Sequence, residues 1–454
     1  MKILKNPLCF IYVLFIMVCF FIPLSGNGQK AAADKQTGRC LIVSDIHFNP
    51  FYDTTLVSQL KKTPYDRWDG IFKGSKVKYD FSTMSGHDSN YGLLMSAMKG
   101  MKMQFDDKHP PAFIILAGDF IWHGSAEPPS VASLPSGTKN LLKTNAIKFL
   151  AQLFRANFPH THIIPLFGNN DTDNGNYHKQ SPAFRNRFAD AWEKGGTDTY
   201  GPSLRRNGYY TYHPANARNL KFIVINSSLV GFNPNLVKPF PDNDAKEMLA
   251  WLGRELRKAV KNRNDVWILS HIPPGKNIHD SNEMWRDEYS KMFVDTVAKY
   301  ARTGNKTTIR TIIASHIHRN DFRVINNAGG PVAYIRTVPS VSPVYGNNPS
   351  FEIAEIDKKT NNLINEKTYY FDLTNNANKW NNTFDLQKKL SLSSISPYGI
   401  TRFINKFKTD TTGLGAYINF FNVGAAVPIT ADPKNLNRSN YADYLNADIL
   451  NPGN

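Results

Sequence analysis

The chain has 454 residues, 41% hydrophobic and 20% charged, with a formal net charge of +17. That apolar content excludes a wholly disordered chain, which would lack the buried surface needed to offset the entropy of ordering. The charge favours anionic partners, but its lysines and arginines are scattered, the densest patch (Arg254 to Arg263) reads as the solvent face of a helix, and no specific nucleic-acid-reading motif accompanies it.

Lys2 and Lys5 precede an apolar run from Leu8 to Leu24 and a small, polar stretch from Ser25 to Gln29. This is the pattern of a secretory signal peptide over residues 1–29, with a retained N-terminal anchor as the competing reading. Cleavage would leave no membrane span. Of the three cysteines, Cys9 and Cys19 lie in that segment, so Cys40 alone remains and no internal disulfide forms. An exported chain without disulfides fits secretion to a bacterial periplasm or cell surface. Cys40, beside an apolar strand, reads as an inert core thiol.

Taken in order, Cys40 to Ser44 is a compact apolar run that ends abruptly in Asp45, the pattern of a buried strand feeding a loop. The design recurs. Phe113 to Ala117 runs into Gly118 and Asp119, His162 to Phe167 into Gly168 and Asn169, Val266 to Ser270 into His271, and Thr311 to Ser315 into His316. Helical periodicity covers Leu141 to Phe154, Asp244 to Val260 and Glu283 to Tyr300, with Asp242 or Asn243 as the N-cap of the second. Strand signals at Tyr209–Tyr212, Lys221–Ile225, Val332–Thr337, Phe351–Ile356 and Thr368–Phe371 call for a second sheet. The expected fold is α/β, two packed mixed sheets flanked by helices, with polar residues at strand ends placing a site along one sheet edge. The Pro-, Gly-, Ser- and Asn-rich stretches Glu127–Lys139 and Val230–Asn243 read as surface loops near that site. Residues 30–375 are expected to form the catalytic domain and 376–454 a mainly helical extension, with segments at Tyr398–Phe407 and Ala416–Phe421.

Five motifs close five of these strands: Asp45-Ile46-His47, Gly118-Asp119, Gly168-Asn169-Asn170-Asp171, Ser270-His271 and Ser315-His316-Ile317-His318. Each alone is more often a hydrogen-bonded loop or a packed core histidine. Their joint order at strand ends is what a purely structural role does not account for. Two divalent cations about 3.5 to 4 Å apart need such a ligand set, one carboxylate being shared. Asp119 is the expected bridge; Asp45, His47 and His318 complete one metal site, and Asn169, His271 and His316 the other. In an extended segment residues two apart face the same side, which would turn Asp45 and His47 into a common pocket, and a loop could achieve the same result. The mixed ligands suit zinc first, with iron or manganese as alternatives.

These blocks resemble the calcineurin-like metallophosphoesterase superfamily, whose motifs read Asp-x-His, Gly-Asp, Gly-Asn-His-Asp/Glu, His and Gly-His-x-His. Within it, Gly118 to His123, His271 to Gly275, Val338 to Pro343, Tyr398-Gly399 and Ala416 to Phe421 make the chain similar to acid-sphingomyelinase-like phosphodiesterases. The resemblance implies a metallophosphoesterase sandwich and attack on phosphorus by metal-activated water. It departs at Gly168-Asn169-Asn170, where Asn170 replaces the histidine that usually contacts phosphate, and at Ser315, which replaces a glycine. An asparagine donates a hydrogen bond but delivers no proton near neutral pH. The resemblance therefore shifts leaving-group protonation to His123, four residues after Asp119, and leaves Asn170 to hold a phosphoryl oxygen or the leaving group. The implied function is an exported dinuclear-metal phosphoesterase acting on small anionic substrates such as nucleotides or head-group phosphodiesters. Sphingomyelin is disfavoured, because too few residues precede Cys40 for a lipid-presenting saposin-type domain. The alternatives are an endopolyphosphatase-like hydrolase, whose block carries the same Asn-Asn-Asp wording, and a catalytically weakened metal-dependent binding protein.

Overall fold

The computed structural model describes residues 37–80, 83–193, 199–217, 219–234, 242–277, 282–374, 379–406, 410, 412–425 and 449–451. The signal-peptide reading of residues 1–29, half of the Val230–Asn243 loop, and much of the last thirty residues lie outside these. From residue 37 onward the chain forms one compact unit.

In chain order the main elements are β1 (Thr37–Val43), α1 (Tyr91–Lys102), β2 (Phe113–Leu116), α2 (Ser136–Asn157), β3 (His162–Pro165), α3 (Pro182–Glu193), β4 (Tyr210–Tyr212), β5 (Leu220–Val224), α4 (Asp242–Asn262), β6 (Asp265–Leu269), α5 (Asp287–Tyr300) and β7 (Ile309–Ala314). They continue as β8 (Asp321–Asn327), β9 (Gly330–Thr337), β10 (Ser350–Asp357), β11 (Leu363–Tyr370), β12 (Asn382–Asp385), α6 (Leu386–Leu390), α7 (Pro397–Lys406), α8 (Leu414–Phe421) and β13 (Ile449–Leu450).

The strands make the expected two mixed sheets. One is six-stranded in the order β12-β11-β10-β1-β2-β3, the other seven-stranded in the order β13-β8-β9-β7-β6-β5-β4. β1, β2 and β3 run parallel, as do β5, β6, β7 and β9. Antiparallel strands extend both sheets.

The strand sequences show why the sheets stack. In Asp265–Leu269 every residue is buried, yet alternate side chains enter different cores. Trp267 and Leu269 point between the sheets, whereas Val266 and Ile268 meet the α4 and α5 side, where Met248, Leu252, Phe293 and Val297 pack. A period of two with both faces covered produces this continuous apolar run. Phe113 of β2 closes the sandwich edge-on against Phe222 and Trp267, at ring-centroid distances of 5.0 and 5.8 Å. α1, α2 and α3 cover the outer face of the first sheet through residues such as Leu94, Phe149 and Phe188. Cys40 is fully buried in β1, and burial raises its thiol well above the usual range, consistent with an inert core residue.

Local details differ from the sequence expectation. α4 begins at Asp242, so Asp242 and Asn243 are first-turn residues rather than caps. α5 begins at Asp287, because Glu283 pairs with Lys276 in an antiparallel bridge instead of joining the helix. The stretch Glu127–Lys139 is not wholly loop, since it contains a turn of helix at Pro129–Ala132 and the start of α2. β8 escaped the apolar-run criterion because it carries buried Asp321 and Arg323. Among the described residues no helix is long and apolar enough to cross a membrane.

Candidate metal centre

All five motifs emerge from the C-terminal ends of parallel strands: β1, β2, β3, β6 and β7. The Asp45 loop is tied to the Gly118 and Val341 loops, the Asp45 N–H donating to the Gly118 carbonyl at 3.0 Å and the Ser342 N–H to the Asp45 carbonyl at 3.0 Å. Of the two routes expected for Asp45 and His47, loop backbone rather than an extended segment aligns them. Asp45, His47, Asp119, His316 and His318 all have positive φ, at 46°, 41°, 54°, 75° and 58°. Such backbone is sparsely populated by non-glycine residues and persists where the surroundings over-determine it. After β1, β2 and β7 the strand stops, and a left-handed kink aims the side chain inward.

Two groups of side chains could each hold a cation, their ligand atoms lying within 4.8 Å of one another: Asp45, His47 and His318, and Asp119, His271 and His316. The groups meet at one carboxylate oxygen. Asp119 Oδ2 lies 3.4 Å from His47 Nε2 and 3.3 Å from His271 Nε2. His318 Nε2 lies 3.3 Å from Asp45 Oδ1, and Asn169 Oδ1 lies 3.0 Å from His271 Nε2. The geometry thus gathers all seven residues singled out by sequence into one cluster.

The donor set fits cations. Asp45 Oδ1 and His47 Nε2 are buried without a hydrogen-bond partner, a costly arrangement for polar atoms unless something else satisfies them. Two rings have their orientation fixed by the other nitrogen. His47 Nδ1 is 3.0 Å from the Ile121 carbonyl and His271 Nδ1 is 2.8 Å from the Ala117 carbonyl, which leaves Nε2 of each facing the cluster. Ser315, in place of the motif glycine, is accommodated; its hydroxyl donates to the same Ala117 carbonyl at 2.7 Å.

The electrostatics show the same need for positive charge. Burial works against ionising Asp45 and Asp119, yet the surrounding histidines hold both carboxyls well below the usual range. Burial likewise works against charging His47 and His271, but Asp119 and Asp45 draw both up to about 9. His316 is pushed down to about 3 by burial and by His271, and His318 down by burial. Protons on His47 and His271 balance carboxylates that a divalent cation would balance instead.

His123 and Asn170 both line a cavity of about 230 Å³ in front of this cluster. His123 stacks on His47 at 3.9 Å between ring centroids. Asn170 grips Asp119, its backbone N–H donating to Oδ1 and its Nδ2 to Oδ2, both at 2.8 Å. Further lining comes from Asn176, Tyr177, Phe232, Glu283 and Tyr345, and no lysine or arginine lines it among the described residues. His279, four residues beyond the Pro273-Pro274-Gly275 turn, lies outside the described residues.

Two supporting carboxylates were given no role from the sequence, although Asp171 stands in one of the five motifs. Asp171 accepts backbone N–H bonds from Gly168, Asp119, Phe120 and Ile121 at 2.8 to 3.2 Å, locking the β2 and β3 loops together. Burial and the Asp119 charge push its carboxyl up to about 7 against those donors. Asp88 precedes α1 and reaches His123. A polar cluster, His87 to Asn90, ahead of an apolar helix was its only sequence signal. His47, Asp88 and His123 form a third cluster of possible ligands, but both Asp88 oxygens are already engaged by His123.

The chain is similar to several known proteins. Cyclic GMP-AMP phosphodiesterase SMPDL3A of Homo sapiens is 24% identical over 436 residues, covering 89% of each chain. Acid sphingomyelinase-like phosphodiesterase 3b of Mus musculus is 26% identical over 356 residues, covering 75% of this chain and 72% of the relative. Among solved structures, a dimetal phosphatase from Danio rerio aligns with 73% of this chain and 95% of its own at 13% identity, with a TM-score of 0.41. The similarity to acid-sphingomyelinase-like phosphodiesterases read from the motifs is borne out by these curated relatives. The calcineurin-like phosphoesterase family matches residues 38–320, more than half of the chain, and the protein belongs to that family of phosphoric ester hydrolases.

Proposed function

We propose that the protein is an exported dinuclear-metal phosphodiesterase acting on small anionic substrates, with nucleotide-type diesters foremost. The observation that carries this reading is the sharing of Asp119 Oδ2 between His47 and His271, at 3.4 and 3.3 Å, which makes two clusters into one centre. Asp45, His47 and His318 would hold one ion, and Asn169, His271 and His316 the other, with Asp119 common to both. When bound, two such ions, zinc first among them, supply charge to offset the phosphoryl oxygens and lower the pKa of an attacking water.

The chain's own residues do the rest. Asn170, on the cavity wall beside Asp119, offers an amide N–H to a phosphoryl oxygen. His123 presents Nε2 while Nδ1 is held by Asp88 at 2.7 Å, the arrangement of a general acid that returns a proton to the leaving oxygen. Phe232 and Tyr345, 39% and 44% exposed, offer ring faces at the cavity for a base or another flat leaving group. The name of the SMPDL3A relative, a cyclic GMP-AMP phosphodiesterase, supports a nucleotide diester as that class.

Polyphosphate receives less support, since a polyanion would be expected to meet lysine or arginine along the cavity and the described lining has none. Export rests on the composition of residues 1–29. A panel of bis-p-nitrophenyl phosphate, a dinucleotide diester, ATP and polyphosphate on zinc-loaded protein tests the assignment. Diester turnover at least tenfold above the other two supports it; polyphosphate cleavage ahead of every diester, or no turnover of any, refutes it.

A further inference from the structure

The segment after the Asn169 loop carries an unusual residue. Tyr177 has φ of 59°, left-handed backbone in which a bulky side chain is an outlier, retained only where its surroundings hold it. Two contacts do so. Its N–H donates to the Asn169 carbonyl at 2.9 Å, and its hydroxyl lies 2.9 Å from His316 Nε2, with the two rings edge-to-face at 5.9 Å and 84°.

The residue before it acts on the same half of the centre. Asn169 Nδ2 donates to Asn176 Oδ1 at 2.7 Å, and Asn169 Oδ1 is thereby turned to within 3.0 Å of His271 Nε2. An asparagine binds a cation through its oxygen only, so whatever engages its nitrogen decides whether it can be a ligand. A histidine whose Nε2 is hydrogen bonded has only Nδ1 left to offer. Gly175, with φ of 103° and its carbonyl accepting the His178 N–H at 3.0 Å, makes the turn that presents both residues.

Resting on the two-metal reading, we infer that Asn176 and Tyr177 are positioning residues for one metal site: they select the Asn169 oxygen and the His316 Nδ1 as ligand atoms. Neither residue is a ligand, and both act through another side chain. Partners of this kind typically change metal affinity by about 10- to 100-fold when removed.

Chelator competition on zinc-loaded protein, together with the visible absorption of cobalt(II)-substituted protein, tests the inference. Tyr177→Phe keeps the ring and removes only the hydroxyl; Asn176→Ala removes the acceptor, while Asn176→Asp retains one. One of two ions is expected to bind about 10- to 100-fold more weakly in Tyr177→Phe and in Asn176→Ala, with an altered cobalt spectrum. Asn176→Asp is expected to stay near wild type. The melting temperature of each metal-free variant is expected to match that of metal-free wild type, since neither side chain belongs to the buried core. Wild-type affinity and spectrum in both Tyr177→Phe and Asn176→Ala would overturn the inference, as would Asn176→Asp losing metal as readily as Asn176→Ala. Failure of wild type itself to bind two ions would instead overturn the underlying metal reading.

Discussion

Asp88 holds His123 at two points: one carboxylate oxygen accepts the His123 backbone N–H at 2.7 Å and the other lies 2.7 Å from ring Nδ1. The carboxylate is buried and His123 keeps its carboxyl below the usual range after burial has worked the other way. A ring anchored this way through Nδ1 has only Nε2 left to exchange a proton with a group bound in the cavity.

The first expectation follows from that pair. His123→Ala should lower kcat by about 10²- to 10⁴-fold on a diester with an alkyl leaving group, the usual contribution of general acid catalysis. On a p-nitrophenyl diester, whose leaving group departs unaided, the loss should be far smaller. Asp88→Asn should show the same split in milder form. Equal losses on both substrates, measured as kcat at saturation, would remove His123 from the acid role.

Gly168 faces Asp119 so closely that an added Cβ would sit 2.0 Å from Asp119 Oδ1 and 2.4 Å from its backbone nitrogen. Both are part of a buried loop pair that Asp171 locks, so neither can yield cheaply. Gly168→Ala should therefore shift the shared carboxylate and weaken metal retention at least tenfold, read as zinc remaining after dialysis. Full zinc content in Gly168→Ala would show that Asp119 is not the hinge of the centre.

A third expectation concerns pH. Arg336 is fully buried and bonds both Glu352 and Glu366, while Glu352 Oε2 and Glu366 Oε1 have no partner. Burial pushes Glu352 up to about 8, with Arg336 opposing and Glu366 adding to the rise. One guanidinium serves two desolvated carboxyls, and the pair keeps a proton in the folded state. Unfolded, Glu352 loses that proton near pH 4.3, so between roughly pH 4.5 and 8 the native state binds more protons and stability falls as pH rises. Glu352→Gln mimics the protonated form and should flatten this decline, measured as melting temperature against pH. An unchanged slope would contradict the shared-proton reading.

Much of this fold was legible because parallel strands buried on both faces read as continuous apolar runs. β2, β3, β6 and β7 were visible for that reason, and each motif residue was found where such a run stops. β8 was not, because Asp321 and Arg323 interrupt it, and the Pro274 and Lys276 carbonyls that accept from the Arg323 guanidinium lie far off in sequence. The seven clustered residues were legible as types in order, but their aim was not: Asp45 and His47 meet through left-handed kinks rather than extended backbone. Asp88 and Asp171 act through hydrogen bonds across 35 and about 50 residues, and no local pattern encodes contacts of that reach. Asn170 illustrates the same limit. Its substitution for histidine was plain in the sequence, whereas its double hydrogen bond to Asp119 required the fold.

The most direct test of the central claim is the metal content of purified wild type and Asp119→Ala by mass spectrometry, with hydrolysis of bis-p-nitrophenyl phosphate followed on the same samples. Two divalent ions per wild-type chain, with Asp119→Ala losing both ions and at least 10²-fold in rate, is the expected result, since removing a shared carboxylate opens both sites at once. A wild-type chain that hydrolyses the diester with one ion or none, or an Asp119→Ala variant that retains two, would contradict a dinuclear centre built on Asp119.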